Sequence, residues 1–151
     1  MKLRFRLILF IALLFWAAGI FFECIALPFN PLIIGYPFVY NTFSHVCHQE
    51  PDKLINLTCG STLVCARCTG IYLGLLFNST INIFVVLKIK TSLKLLALCT
   101  VPMALDVLFV VINIYPYSKA VAFTTGLLFG SILFLYLYDG LNNLIVEIQN
   151  R

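Results

Sequence analysis

Leu7-Ile-Leu-Phe-Ile-Ala-Leu-Leu-Phe-Trp-Ala-Ala-Gly-Ile-Phe-Phe-Glu-Cys-Ile-Ala-Leu27 is an apolar run broken only by Glu23. A helix needs about 20 such residues to cross the hydrocarbon core of a bilayer. The basic start Lys2-Leu3-Arg4-Phe5-Arg6 also suits a signal peptide, but this run is longer than the roughly 7–15 residues of a signal core. Phe22-Glu23 before Cys24 is a poor setting for lipoprotein processing. The run therefore reads as a retained first span, residues 7–27.

Three more apolar stretches follow, at about 64–87, 95–115 and 120–138. Hydrophobic residues make up 62% of the 151 and charged residues 11%, well under the roughly 25% of soluble domains. One small water-soluble domain could not bury that much apolar surface. Strands in lipid must close into a barrel, and no alternating pattern announces one, so the spans read as helices. The expected fold class is all-α: a polytopic integral membrane protein of one domain, a four-transmembrane-helix bundle with an extracytoplasmic loop at 28–63. Leu141, Leu144, Ile145 and Ile148 share one helical face opposite Asn142, Glu147 and Arg151, which suggests an amphipathic tail at 141–151 lying on the membrane surface. Gly70 and Gly74, and likewise Gly126 and Gly130, stand four apart, a spacing that lets helices pack closely. No basic patch interleaved with aromatics points to nucleic acid.

The charges suggest an orientation. With the N-terminus in the cytoplasm, Lys2, Arg4, Arg6, Lys88, Lys90, Lys94 and Arg151 lie inside, and only Lys53, Arg67 and Lys119 outside. That asymmetry follows the positive-inside tendency. It places the protein in the cell membrane as a multi-pass chain, both termini cytoplasmic and the loop outside.

The loop and the start of the second span hold the chemistry. His45-Val46-Cys47-His48-Gln49 is followed by Val64-Cys65-Ala66-Arg67-Cys68-Thr69-Gly70-Ile71-Tyr72-Leu73-Gly74. These segments resemble the signatures of a family of small predicted prokaryotic membrane proteins of unknown function, in which a Cys-His-Gln motif precedes a Cys-Ala-Arg-Cys-Thr-Gly motif. Pro102-Met103-Ala104-Leu105-Asp106 and Thr125-Gly126-Leu127-Leu128-Phe129-Gly130 are similar to that family's later segments, so the likeness covers most of residues 43–130. An arginine common in the family before the last Thr-Gly is absent from Val121-Ala122-Phe123-Thr124. The resemblance implies a membrane protein and no particular reaction.

Cys65 and Cys68, three apart on a helix, present their thiols on one face. With Cys47 and His48 they can supply four ligands to zinc, or iron, in tetrahedral sulfur and imidazole coordination. His45 and Cys59 are additional candidate ligands. Such a site is either structural, closing the loop, or catalytic, with an open position that activates water. Asp106, an acid inside the third span, is then a catalytic candidate as general base, since buried acids in lipid face a partner or a cavity. Its depth, ~15 Å below the mouth at about 1.5 Å per residue, also suits a separate polar cavity or a hydrogen bond to Asn78 or Asn82. Arg67 between the cysteines is a second candidate, as a cation that favours thiolates or binds a phosphate headgroup.

Two alternatives stand beside the metal site. One is a membrane thiol-disulfide oxidoreductase coupled to a quinone, with Cys65 and Cys68 as the exchanging pair and Cys47 or Cys59 as relay. Its architecture would be similar to the four-helix disulfide-forming oxidoreductases. The other is a small metal or ion transporter, or an accessory subunit of a membrane complex, with Glu23, Asn78, Asn82 and Asp106 along a path. The expected partners are membrane lipid and a homo-oligomer or larger membrane complex.

Overall fold

The structure is a computed structural model that describes residues 3–26, 34–85 and 93–149. Lys2, Leu27, Pro28, Pro31, Leu32, Leu87, Lys88, Lys90 and Arg151, and the side chain of Ile148, lie outside what it describes. Four long helices dominate: α1 (Leu3–Ile20), α4 (Ala66–Phe84), α5 (Leu93–Val111) and α6 (Lys119–Gln149). Between α1 and α4 come two short helices, α2 (Phe22–Ala26) and α3 (Tyr36–Ser44), and an antiparallel hairpin of β1 (Leu54–Leu57) and β2 (Gly60–Cys65).

The hairpin corrects the all-α expectation. Leu54-Ile55-Asn56-Leu57 and Ser61-Thr62-Leu63-Val64 carry apolar and β-branched side chains that suit strands. Folded over the bundle mouth, their backbone groups need partners, and the ladder supplies them. Thr62 adds a side-chain bridge: its hydroxyl donates to the Val64 carbonyl at 2.8 Å and accepts the Ile55 N–H at 3.0 Å. Val64 and Cys65 are therefore strand, and the second long helix begins at Ala66.

Three helices among the described residues, α1, α5 and α6, are long and apolar enough to cross a membrane. α4 falls outside that set. Arg67, Thr69, Asn78, Ser79, Thr80 and Asn82 dilute its hydropathy, and Thr69, Ser79 and Asn82 are buried. The polar character expected of a pathway is thus turned inward on the most enclosed helix. The tail at 141–151 is no separate element: α6 runs unbroken past Asp139-Gly140 to Gln149. Its 31 residues reach ~46 Å at about 1.5 Å per residue, longer than a hydrocarbon core of roughly 30 Å.

α4 is the hub. It packs against α6 over most of its length and against α1 on another side, while α5 rests on α6. The α4–α6 seam is glycine on both sides. A Cβ at Gly74 would stand 2.5 Å from the Leu127 carbonyl oxygen, one at Gly70 would strike the Phe123 carbonyl, and one at Gly130 the Ile71 carbonyl. A Cβ at Gly126 would strike the carbonyl of Arg67. Asn78 adds a hydrogen bond across the seam to the Ser131 carbonyl at 3.2 Å. Outward faces stay apolar, with Phe15, Leu98 and Leu128 among the exposed side chains, as suits contact with acyl chains.

Two apolar clusters fill the interior. Leu75, Phe134 and Tyr138 form one, backed by Leu9 and Leu13. Ile20, Phe43, Leu63, Val64 and Cys47 form the other under the hairpin, with Trp16 and Tyr72 against it. Trp16 stands 5.0 Å from Phe43 and 5.9 Å from Tyr72 between ring centroids.

The seam gives a direct test. Gly74→Ala should destabilise the bundle by about 1–3 kcal/mol, the usual range for overpacking. Gly140→Ala, with open space around it, should be neutral or slightly stabilising. Thermal unfolding in detergent should show a lowered midpoint for the first variant alone; equal midpoints would contradict the packing.

Candidate metal centre

Two turns and a direct strand-to-helix junction bring the cysteines together. α3 ends as the N–H groups of Val46 and Cys47 both close on the Phe43 carbonyl, at 3.1 and 3.0 Å. Gln49 then adopts a positive φ of 51°, unusual for a residue with a side chain. Its buried amide holds that turn by donating to the Leu63 carbonyl at 2.9 Å and the Tyr40 carbonyl at 3.2 Å. One side chain thus locks the Cys47 turn to both α3 and β2. Finally β2 runs straight into α4, so Cys65 is the N-cap and Cys68 sits in the first turn.

The Sγ atoms of Cys47, Cys65 and Cys68 all lie within 4.8 Å of one another. The Cys65 N–H donates to the Cys47 sulfur at 3.2 Å. Contacts from the Cys65 thiol first and the Cys68 thiol second hold the Cys47 thiol well below its ordinary value, against the opposing effect of burial. The surrounding thiols therefore favour the thiolate form of Cys47. The positive end of α4 supports negative charge at the same place.

The donor chemistry fits a soft or borderline ion. Four-coordinate zinc with bonds of about 2.3 Å separates its sulfurs by roughly 3.8 Å, a spacing that falls inside the 4.8 Å bound on the observed group. The three cysteines line a cavity of about 390 Å³ together with His48, Glu50, Lys53 and Arg67. His48 is on that cavity wall and exposed, outside the sulfur group, and His45 is exposed at the end of α3. Cys59 is elsewhere: it is disulfide-bonded to Cys24 and stands outside the sulfur group. Cys99 is a free thiol on α5.

Arg67 and Asp106 meet. Arg67 Nη2 contacts Asp106 Oδ2 at 2.5 Å, and the Tyr115 hydroxyl donates to Oδ1. Asp106 is 4% exposed and is the buried residue of α5. Its partners are thus Arg67 and Tyr115 rather than the expected Asn78 or Asn82, whose described hydrogen bonds go elsewhere. Only five residues separate it from the end of α5, and Tyr115 folds back onto it from the following turn. Both carboxylate oxygens of Asp106 are thus engaged, one by Arg67 and one by Tyr115.

Sequence reading missed two side chains here besides Gln49. Tyr115 supplies the second hydrogen bond to Asp106. Tyr117 lies nearby with its ring under the Lys53 ammonium, 5.8 Å from the centroid. Burial, then the charge of Cys65, pushes the Tyr117 hydroxyl up to about 12. The Tyr117 hydroxyl and Arg67 Nε are buried without a hydrogen-bond partner among the described residues. Tyr115-Pro116-Tyr117 reads from sequence only as an interfacial aromatic turn. Glu23 is also engaged: its carboxylate accepts hydrogen bonds from the Ser61 backbone N–H and, at 2.8 Å, from the Ser61 hydroxyl.

Comparison with known proteins bears on the same segment. The family model described as "Predicted membrane protein (DUF2085)" matches residues 47–136, which include all three clustered cysteines, Arg67 and Asp106. An uncharacterized protein of Methanocaldococcus jannaschii is 30% identical over 104 residues, 66% of this chain and 65% of the relative. An uncharacterized protein of Methanothermobacter thermautotrophicus is 31% identical over 86 residues, 56% of this chain and 78% of the relative. The chain thus spans slightly less than two thirds of the first relative's length. No solved structure matches.

The buried ion pair is open to test. Asp106→Ala leaves a largely buried guanidinium unpaired, a change that costs on the order of 3 kcal/mol. The double variant Arg67→Met, Asp106→Leu should recover part of that loss. Unfolding midpoints of the single and double variants measure it; an unchanged midpoint in Asp106→Ala would show the pair to be dispensable.

Proposed function

The chain belongs to the predicted membrane protein family DUF2085, and we propose that it is a multi-pass membrane protein that holds one metal ion on Cys47, Cys65 and Cys68 at the extracytoplasmic mouth of its bundle. The observation that carries this reading is the gathering of three thiols from two distant segments at the N-terminal end of a buried helix. Zinc is the expected ion, with iron the runner-up, since both take thiolate ligands.

Orientation rests on the charge asymmetry and on the Cys24–Cys59 bond, because disulfides persist in oxidising compartments. Three mutually adjacent free thiols in such a compartment are themselves prone to oxidise, and a bound ion protects them. α4 is the fourth span in this reading. Its 19 residues cover ~28 Å at about 1.5 Å per residue, and its polar side chains are screened from lipid by α1 and α6. Lipid is the surrounding partner.

His48 lines the same cavity as the three cysteines. Closed by His48, the centre staples loop to bundle; left open, it takes water or a substrate atom. Proximity of the three sulfurs also favours a second reading, thiol-disulfide exchange with a membrane quinone as acceptor. A transport path is disfavoured because Glu23, Asn78 and Asp106 are each held by internal hydrogen bonds.

Protein purified in mild detergent without reductant or chelator should carry about one equivalent of metal. Cys65→Ser and Cys68→Ser should lose it, while Cys24→Ser should keep it. Metal should also leave as pH falls, since protons compete for the thiolates. No metal, together with thiols at 65 and 68 that appear only after reduction, would replace the metal reading with the disulfide one.

A further inference from the structure

The β1–β2 hairpin carries a motif that the thiol site does not use. Asn56-Leu57-Thr58 is an Asn-x-Thr acceptor triplet without proline at its centre. Such triplets recur by chance, so placement must decide. Asn56 stands opposite Ser61 in the ladder, and Leu57 opposite Gly60 closes it. Thr58 and Cys59 make the turn, and residues 56–59 are all exposed. Among the described residues no hydrogen bond engages the side chain of Asn56 or Thr58. The tip is also anchored. Cys59 is bonded to Cys24 of α2, and Glu23 holds Ser61, so the triplet is presented on a fixed turn at the outer end of α1 and α2.

We infer that Asn56 is an N-glycosylation acceptor whose side-chain amide receives a saccharide from a polyprenyl-phosphate-linked donor. In that transfer the amide nitrogen bonds to the anomeric carbon of the sugar. The bond from that carbon to the donor's phosphate oxygen breaks, and the amide proton leaves with the released phosphate. The Thr58 hydroxyl is the group that makes the triplet an acceptor, and its exposed, unengaged state leaves it available to a transferase. A saccharide there sits away from the Cys47, Cys65 and Cys68 cavity, so metal binding is untouched. The inference rests on the extracytoplasmic orientation of the hairpin.

Lys53 and Arg67 flank the triplet, so trypsin releases residues 54–67 as one peptide. Protein purified from membranes of its own host should yield this peptide with an added saccharide mass. The added mass should vanish in Asn56→Gln and Thr58→Ala and persist in Thr58→Ser. An unmodified wild-type peptide overturns the inference. A membrane-impermeant amine reagent on intact cells identifies which premise failed. Labelled Lys53 with a bare peptide refutes the modification while the orientation stands. Unlabelled Lys53 with a bare peptide refutes the orientation and the modification with it.

Discussion

Backbone-to-backbone contact between α4 and α6 is the constraint on which the remaining structure depends. In lipid there is little hydrophobic gain from pressing two apolar helices together, so close approach and hydrogen bonding must hold them. Gly70, Gly74, Gly126 and Gly130 remove the side chains that would keep the axes apart. The uppermost of these contacts sets Gly126 against the carbonyl of Arg67, one residue before Cys68. The same packing that joins the helices therefore fixes the first turn of α4, which presents two of the three sulfurs and the arginine.

The mouth of the bundle is built to satisfy polar groups that the bilayer cannot. Thr62, Gln49 and Glu23 each hold backbone groups that the hairpin and the Cys47 turn would otherwise leave unpaired. The Cys24–Cys59 bond fastens the hairpin tip to α2, and the Arg67–Asp106–Tyr115 set fastens α5 to the base of the sulfur cluster. Cysteines of the loop thus fall into two chemical groups: a covalent pair at the rim and a thiol trio beneath it. Because Arg67 lies between Cys65 and Cys68, its hold on Asp106 links the position of α5 to the geometry of the trio.

Much of this was legible in the sequence, and the failures have physical causes. Long apolar runs announced α1, α5 and α6, and the Cys-x-x-Cys spacing kept Cys65 and Cys68 close, although Cys65 ends β2 as the extended N-cap of α4 rather than sharing a helical face with Cys68. The hairpin was hidden because its strands are short and lie in a segment dominated by prolines. α4 looked like an ordinary span, although its polar residues face its neighbours inside the bundle. Asp106 was placed too deep because α5 ends at Val111 rather than Tyr115. His48 is adjacent to Cys47 in sequence, and the turn that buries Cys47 leaves His48 exposed on the cavity wall. Tyr115 and Tyr117 could not be found at all, since a turn's tertiary contacts carry no periodic signal.

X-ray absorption at the metal edge of the purified, unreduced protein tests the central claim most directly. Three thiolates on one zinc ion predict about three sulfur neighbours near 2.3 Å and a single lighter atom closer in. An edge absent above background, or a shell of nitrogen and oxygen without sulfur, would contradict it.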